Sequence, residues 1–391
     1  MTLIIISFLN KEERVILKMN KKTIDEIFLM RSIACLSIVF LHGIARSFLE
    51  ENGIIASISL LLTFGTPTFV FISEFILARS YPEKLPNNFW GKRVKYVLLP
   101  YLLFGTFYAG SKGLELTLSS DVSFVSAFGQ YWWKHLLLGD YHGYFILIIL
   151  QFYVLHYFFH ENLKKWSPKI VLPVSFIISA LYLGFFNFVP SIQTSVGQYI
   201  WDKFYWIPFL GWLFYFALAY YSGRYYPVFV SYLKSYSRIV VIAPILIGSA
   251  CVFFYHHGIF SKISSKQIDI VLFTTSMIFL IYYLGLKLRR VPDFFVFISQ
   301  YSFGIYLFHP LFMAFIFIGL SVIPFNIHPL IETIIYVVFS VGLSIIATYI
   351  MNKIPYGHYV SGKIGMGRQK RIKENNTTPE IIVRQSVVDR P

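Results

Sequence analysis

Charge is what this sequence has least of. Asp, Glu, Lys and Arg make up 14% of its 391 residues, against about 25% in an ordinary soluble domain. Acidic side chains are the scarcer sign, 19 against 34 basic ones. Cysteine is nearly absent: Cys35 and Cys251 both lie in apolar runs, which argues against a disulfide framework or a thiolate metal site. Gly/Ser linkers and long polar insertions are missing, so the chain reads as one membrane domain. It has no G-x-S-x-G, no P-loop and no G-x-G-x-x-G in a strand–helix setting. No histidine pair has the H-E-x-x-H spacing, and no metal is expected.

Hydrophobic residues, by contrast, reach 56%, with 41 Phe, 28 Tyr and seven Trp. A soluble enzyme of this length could not bury so much apolar surface, whereas aromatic rings suit lipid and its two interfaces. The net charge of +15 would suit a nucleic acid, but the basic residues are scattered between apolar segments. Their placement describes membrane topology, so the partner expected is lipid and no nucleic acid.

About ten segments are long and apolar enough to cross a bilayer as helices. They fall near 25–46, 54–79, 94–110, 143–159, 169–187, 205–222, 239–256, 267–286, 294–320 and 330–351. Residues 123–138 are amphipathic and aromatic, which suits a surface or re-entrant position. The expected fold is all-α integral membrane: a leader over 1–22, a membrane domain over 23–355 and an unstructured basic tail over 356–391. With a cytosolic N-terminus, 27 Lys and Arg lie inside and six outside: Arg46, Lys112, Lys134, Lys203, Lys262 and Lys266. That asymmetry obeys the positive-inside rule with both termini cytosolic.

Ionisable side chains at membrane depth are costly, so each needs a reason. The first span holds two, Arg31 and His42. Eleven residues is close to three turns, so both face one side, roughly 16 Å apart. Arg31 alone reads as a snorkelling anchor and His42 alone as a packed histidine; together on one stripe they point to a site.

Arg31–x10–His42 (RSIACLSIVFLH) resembles the signature of the membrane acyltransferase 3 family. FGTPTFVFISEFIL (64–77), FWGKRVKYVLLPYL (89–102) and SFGIYLFHPLF (302–312) are similar to further stretches of that family, in its order. The resemblance covers about residues 25–350, and the GYFI stretch with QF at 151–152 points to the intercellular-adhesin branch. It implies an O-acyltransferase, transferring groups other than aminoacyl groups, in a bacterial cell membrane. The donor would be cytosolic acyl-CoA and the acceptor a hydroxyl of a cell-surface or secreted polysaccharide, with polysaccharide-synthesis proteins as partners. The same branch also implies an alternative, a poly-N-acetylglucosamine-like exporter with no chemistry of its own. Acetyl and succinyl both stay open as the acyl group.

Within that resemblance His42 is the candidate base, a positioned histidine that takes the hydroxyl proton; an acyl-histidine intermediate is the other route. Arg31 suits a phosphate or pantetheine carbonyl of the donor. Lys92, Arg93 and Lys95 would attract the phosphates of coenzyme A, or serve topology alone. The family's Arg-x-x-Arg spacing is absent, since Tyr96 follows Arg93. Glu74, after Ser73, departs from the family's Gly; it is expected to pair with Arg31, or else to reach Arg79 or water. Ser302, Tyr306 and His309 share one face and would line the acceptor side, with Pro310 freeing a backbone carbonyl. A purely structural His309 is the alternative. Gln151 and Tyr153 are weaker candidates. His135, His142, His256, His257 and His328 fall on the outer side, and His156 and His160 near an inner helix end.

Overall fold

The structure is a computed structural model that describes residues 25–48, 53–260 and 262–365. The expected leader over 1–22 and the tail beyond 365 lie outside the described residues. Every regular element among the described residues is a helix. In chain order they are α1 (Asp25–Ser47), α2 (Gly53–Leu62), α3 (Gly65–Ser80), α4 (Phe89–Arg93), α5 (Leu99–Ser119), α6 (Phe124–Leu138), α7 (Tyr144–Lys165), α8 (Pro168–Phe188) and α9 (Ser195–Tyr199). Then follow α10 (Leu213–Arg224), α11 (Tyr226–Ser235), α12 (Ser237–His256), α13 (Ile268–Lys287), α14 (Asp293–Ser321), α15 (Pro329–Lys353) and α16 (His358–Ser361).

Among the described residues nine helices are long and apolar enough to cross a membrane, one fewer than expected. The difference is the segment near 94–110. There α4, a π-turn over Val94–Leu98 and α5 run on as one rod, but Lys92, Arg93 and Lys95 sit toward one end and Lys112 and Glu115 toward the other. Its uninterrupted apolar stretch is therefore short. The crossing expected at 205–222 is built from pieces, with a π-turn over Ile200–Phe204 and a 3-10 turn over Phe209–Trp212 between α9 and α10. Gln151 holds that break: its Nε2 donates to the Ile207 carbonyl at 2.8 Å and its Oε1 accepts from the Phe209 amide at 2.9 Å. Gln151 is thus a structural bridge. Part of the tail expected to lack structure is ordered: α16 lies within it, and its Tyr359 ring tilts against Tyr96 with centroids 5.5 Å apart.

Contacts between helix ends define two sides. On one, Lys164 donates to the Glu83 carbonyl, Arg224 pairs with Glu83, and Gly285 at the end of α13 sits against Glu26 at the start of α1. On the other, Lys203 pairs with Asp140 at 3.3 Å, Lys262 with Asp202 at 3.5 Å, and Ser57 bonds His256. The first side carries the basic turns and is called the basic side below.

Helix α1 is central, packing against α3, α13, α14 and α15. Gly65 permits the closest of these approaches: a Cβ there would lie 2.7 Å from the Ala34 carbonyl oxygen. Helix α6 folds back along α5, and near its end its His135 carbonyl accepts from the hydroxyl of Tyr101, in the first turn of α5, at 2.6 Å. Gly139, at φ +62°, ends α6 in the left-handed conformation that glycine adopts without strain. The chain then enters α7 from within the bundle.

Candidate functional site

Two polar clusters meet α1 at different depths. Nearer the side opposite the basic one, His42 on α1 lies beside His309 on α14, ring centroids 5.3 Å apart. His142, from the turn between α6 and α7, lies 6.0 Å from His309. Tyr108 on α5 packs edge-on against His142 at 4.5 Å, and Tyr306 tilts over it at 5.6 Å. The tyrosines also brace the backbone: Tyr108 donates to the Leu307 carbonyl at 3.0 Å, and Tyr306 donates to the carbonyl of His142.

The local sequence fixes the His309 ring. Pro310 has no N–H, so the Tyr306 carbonyl four residues before it loses its helical partner. His309 Nδ1 lies 2.8 Å from that oxygen and 3.0 Å from the Ile305 oxygen. A carbonyl only accepts, so Nδ1 carries the proton and Nε2 of the neutral ring is a bare acceptor. Nε2 is buried without a partner, as is Nε2 of His142. His42 differs in being solvent-accessible although it sits deep in the bundle. Burial, and then the neighbouring His42, push the His142 imidazole down to about 3, so it is neutral at physiological pH.

A cavity of about 520 Å³ leads to this cluster from the side opposite the basic one. Tyr108, Tyr131, Lys134, Asp140, His142 and Tyr199 line it, and Lys203 closes part of its rim through the ion pair with Asp140. Aromatic faces, hydroxyls and paired charges of this kind suit a polar, ring-shaped ligand better than an apolar one.

Toward the basic side the centre is Tyr153 on α7. Ser73 Oγ donates to its hydroxyl at 3.2 Å, the Arg93 guanidinium lies 5.0 Å from its ring, and Arg31 is within electrostatic reach. Arg31, Ser73, Arg93 and Tyr153 are therefore brought together. Glu74 joins them, but not through Arg31. Its Oε1 meets His156 Nδ1 at 2.5 Å, with both side chains fully buried. The reason is helix register: α3 lies along α7, so Ser73 meets Tyr153 and Glu74 meets the residue three positions further on. His156 in turn stacks on His160, centroids 4.9 Å apart, and His160 contacts Tyr220.

Three expected residues lie apart. Lys92 and Lys95 are exposed on the basic side, with no acidic partner among the described residues. Ser302 is buried, its Oγ donating to the Ser299 carbonyl at 2.9 Å, and it packs toward Cys35 on α1. It supports helix contact and does not reach the histidines. Sequence reasoning missed His142 and His156 as site residues. His142 sits in an irregular turn, where no period assigns a face. His156 was recoverable, since it follows Tyr153 by three residues on the same helix face.

Residues 24–349 match the acyltransferase domain of the acyltransferase 3 family. A Bacillus subtilis protein bearing the name "Putative membrane-bound acyltransferase YfiQ" is 42% identical over 359 residues, covering 89% of this chain and 97% of that protein. A Staphylococcus aureus protein named "Probable poly-beta-1,6-N-acetyl-D-glucosamine export protein" is 29% identical over 353 residues, 88% of this chain and 97% of its own length. A Staphylococcus epidermidis protein of the same name is 29% identical over 313 residues, 76% and 83% of the two chains. No solved structure matches. Nine candidate spans, a family match over most of its length and membrane-bound bacterial relatives lead to one conclusion: this chain is a multi-pass bacterial membrane protein that belongs to the acyltransferase 3 family.

Proposed function

We propose that the protein is an O-acyltransferase that moves an acetyl or succinyl group from cytosolic acyl-CoA to a hydroxyl of a cell-surface or secreted polysaccharide. The observation that carries this reading is the pair of polar clusters, one around Arg31 and one around His42, on a single face of α1. Arg31 and Arg93 present guanidinium groups near the basic side, where they would hold phosphate or carbonyl oxygens of the donor. Lys92 and Lys95 add unpaired positive charge at that mouth. The cavity at the other side ends at His142 and offers the acceptor a route to the histidines.

In this mechanism the acceptor hydroxyl oxygen bonds to the thioester carbonyl carbon as its proton passes to a ring nitrogen of His42. The carbon–sulfur bond then breaks, and the electron pair leaves on the coenzyme A sulfur, which ends as the thiol after taking up a proton. His309, whose Nε2 has only a lone pair to offer, orients or relieves the His42 imidazolium. Positioned bases of this type contribute about 10²–10⁴-fold.

The test is His42→Ala in cells that make the polymer. Polymer that is still secreted but carries no acyl groups supports transfer. Loss of secretion, with acyl groups intact on the retained chains, overturns it in favour of export, the activity named for the staphylococcal relatives.

A further inference from the structure

Consecutive helices α7 and α8 diverge from the turn at Trp166 and Ser167, and the segment from Phe209 to Ala217 lies behind the gap. The groove so formed has a volume of about 640 Å³, within the roughly 300–1,000 Å³ typical of ligand sites. Its walls are apolar: Leu155 and Phe159 from α7, Val174 and Ile178 from α8, Leu213 and Phe216 from α10. Ser175, the polar side chain among them at depth, returns its hydroxyl to the Leu172 carbonyl at 3.0 Å. Below its mouth the lining thus offers no hydrogen bond to a sugar or a nucleotide. The floor is fixed, since Ser179 bridges the Leu210 carbonyl and the Phe214 amide, and the Tyr221 hydroxyl bonds the Leu163 and Trp166 carbonyls.

Two further observations identify the occupant. From Ser167 to Ile178 the groove follows eleven residues of helix, about 16 Å at 1.5 Å per residue, which is half of a hydrocarbon core about 30 Å thick. At its mouth on the basic side stand Trp166, Lys165 and Lys169, all exposed. Lys164 pairs with Glu161 and Glu83, whereas Lys165 and Lys169 have no acidic partner among the described residues. A tryptophan at the interface beside unpaired lysines is the arrangement that receives a negatively charged headgroup.

We infer that this groove binds one acyl chain of an anionic glycerophospholipid of the adjacent leaflet, with the phosphate at Lys165 and Lys169. Its lining shares no residue with either polar cluster, so the inference does not rest on the transfer chemistry.

The experiment uses the full chain purified in mild detergent, with phosphatidylglycerol or phosphatidylcholine of the same acyl composition added. Native mass spectrometry counts retained lipid, and a melting curve reports its effect. The expected result is one retained phosphatidylglycerol that survives delipidation and raises the melting temperature. Val174→Trp, which fills a half-exposed groove position without touching the bundle interior, should abolish retention of either lipid. Lys165→Gln and Lys169→Gln should each lower the preference for phosphatidylglycerol about fivefold while leaving chain binding intact. Equal retention of the two lipids by the unmodified protein, or unchanged retention in Val174→Trp, overturns the inference. So does displacement of phosphatidylglycerol by an equimolar isoprenoid phosphate, which would assign the groove to a carrier lipid.

Discussion

His309 Nδ1 donates to the Tyr306 carbonyl at 2.8 Å, the oxygen that Pro310 leaves without a helical partner. A residue and the proline after it thereby set a tautomer, and Nε2 is left to face His42 and His142. His309→Asn keeps a donor near the Nδ1 position but has nothing at Nε2. Transfer should fall by about 10²–10⁴-fold if Nε2 takes part in proton handling, with the melting temperature little changed. Pro310→Ala returns an amide to the Tyr306 carbonyl and leaves Nδ1 chiefly its longer contact with the Ile305 oxygen, so the tautomer is held less firmly. A smaller loss of kcat is expected there. Measured acylation rates equal to the parent in both variants would reduce His309 to a packing residue.

The buried Glu74–His156 contact makes a stability prediction. Removing one partner leaves the other's buried hydrogen-bonding group unpaired, which costs about 1–3 kcal/mol. Glu74→Ala and His156→Ala should each lower the melting temperature strongly, and the double variant should be less damaged than the two losses added together. Additive losses in denaturation of the three proteins would show that the pair is not coupled. Arg31→Ala belongs to a separate contact and should not change this cycle.

Tyr153 makes a prediction about donor affinity. Tyr153→Phe keeps the ring beside Arg93 but removes the hydroxyl that Ser73 and Arg31 approach. A hydrogen bond between neutral groups contributes about 0.5–1.5 kcal/mol, so KM for acyl-CoA should rise about threefold to tenfold as the cluster loosens, with kcat less affected. A change confined to kcat would place Tyr153 at the reacting atoms instead.

His142 predicts a dependence of stability on pH. Its ring takes a proton near pH 6.5 in the unfolded chain but only near pH 3 in the folded one, because burial and His42 oppose the charge. Between those values the unfolded state binds more protons, so stability is full above about pH 6.5 and declines as the pH falls. His142→Gln removes that contribution. Melting curves from pH 7.5 to 4.5 should fall less steeply for the variant than for the parent, and parallel slopes would refute the assignment.

Much of this was legible in the amino-acid order. Hydropathy marks the spans, and helical period alone puts Arg31 and His42 on one face. The Pro310 effect follows from the missing N–H. What was not legible depends on how separate helices align. Glu74 takes His156 rather than Arg31 because α3 and α7 run side by side, a register that no single helix encodes. His142 reaches the histidine cluster from the turn that links α6 to α7, not from a helix face. The π-turn after Arg93 and the broken crossing before α10 come from local hydrogen bonds, including those to Gln151, rather than from apolar content.

The stretch of α1 between Arg31 and His42 has a consequence for the path between the two clusters. Ala34, Cys35 and Ile38 occupy that face and are buried, and the Ser32 and Ser37 hydroxyls turn back onto carbonyls of their own helix. A thioester arriving near Arg31 would meet packed methyl and methylene groups on that face, so it reaches His42 only once those side chains move aside. Opening of the bundle along α1 is thus a step of its own in any transfer between the two clusters.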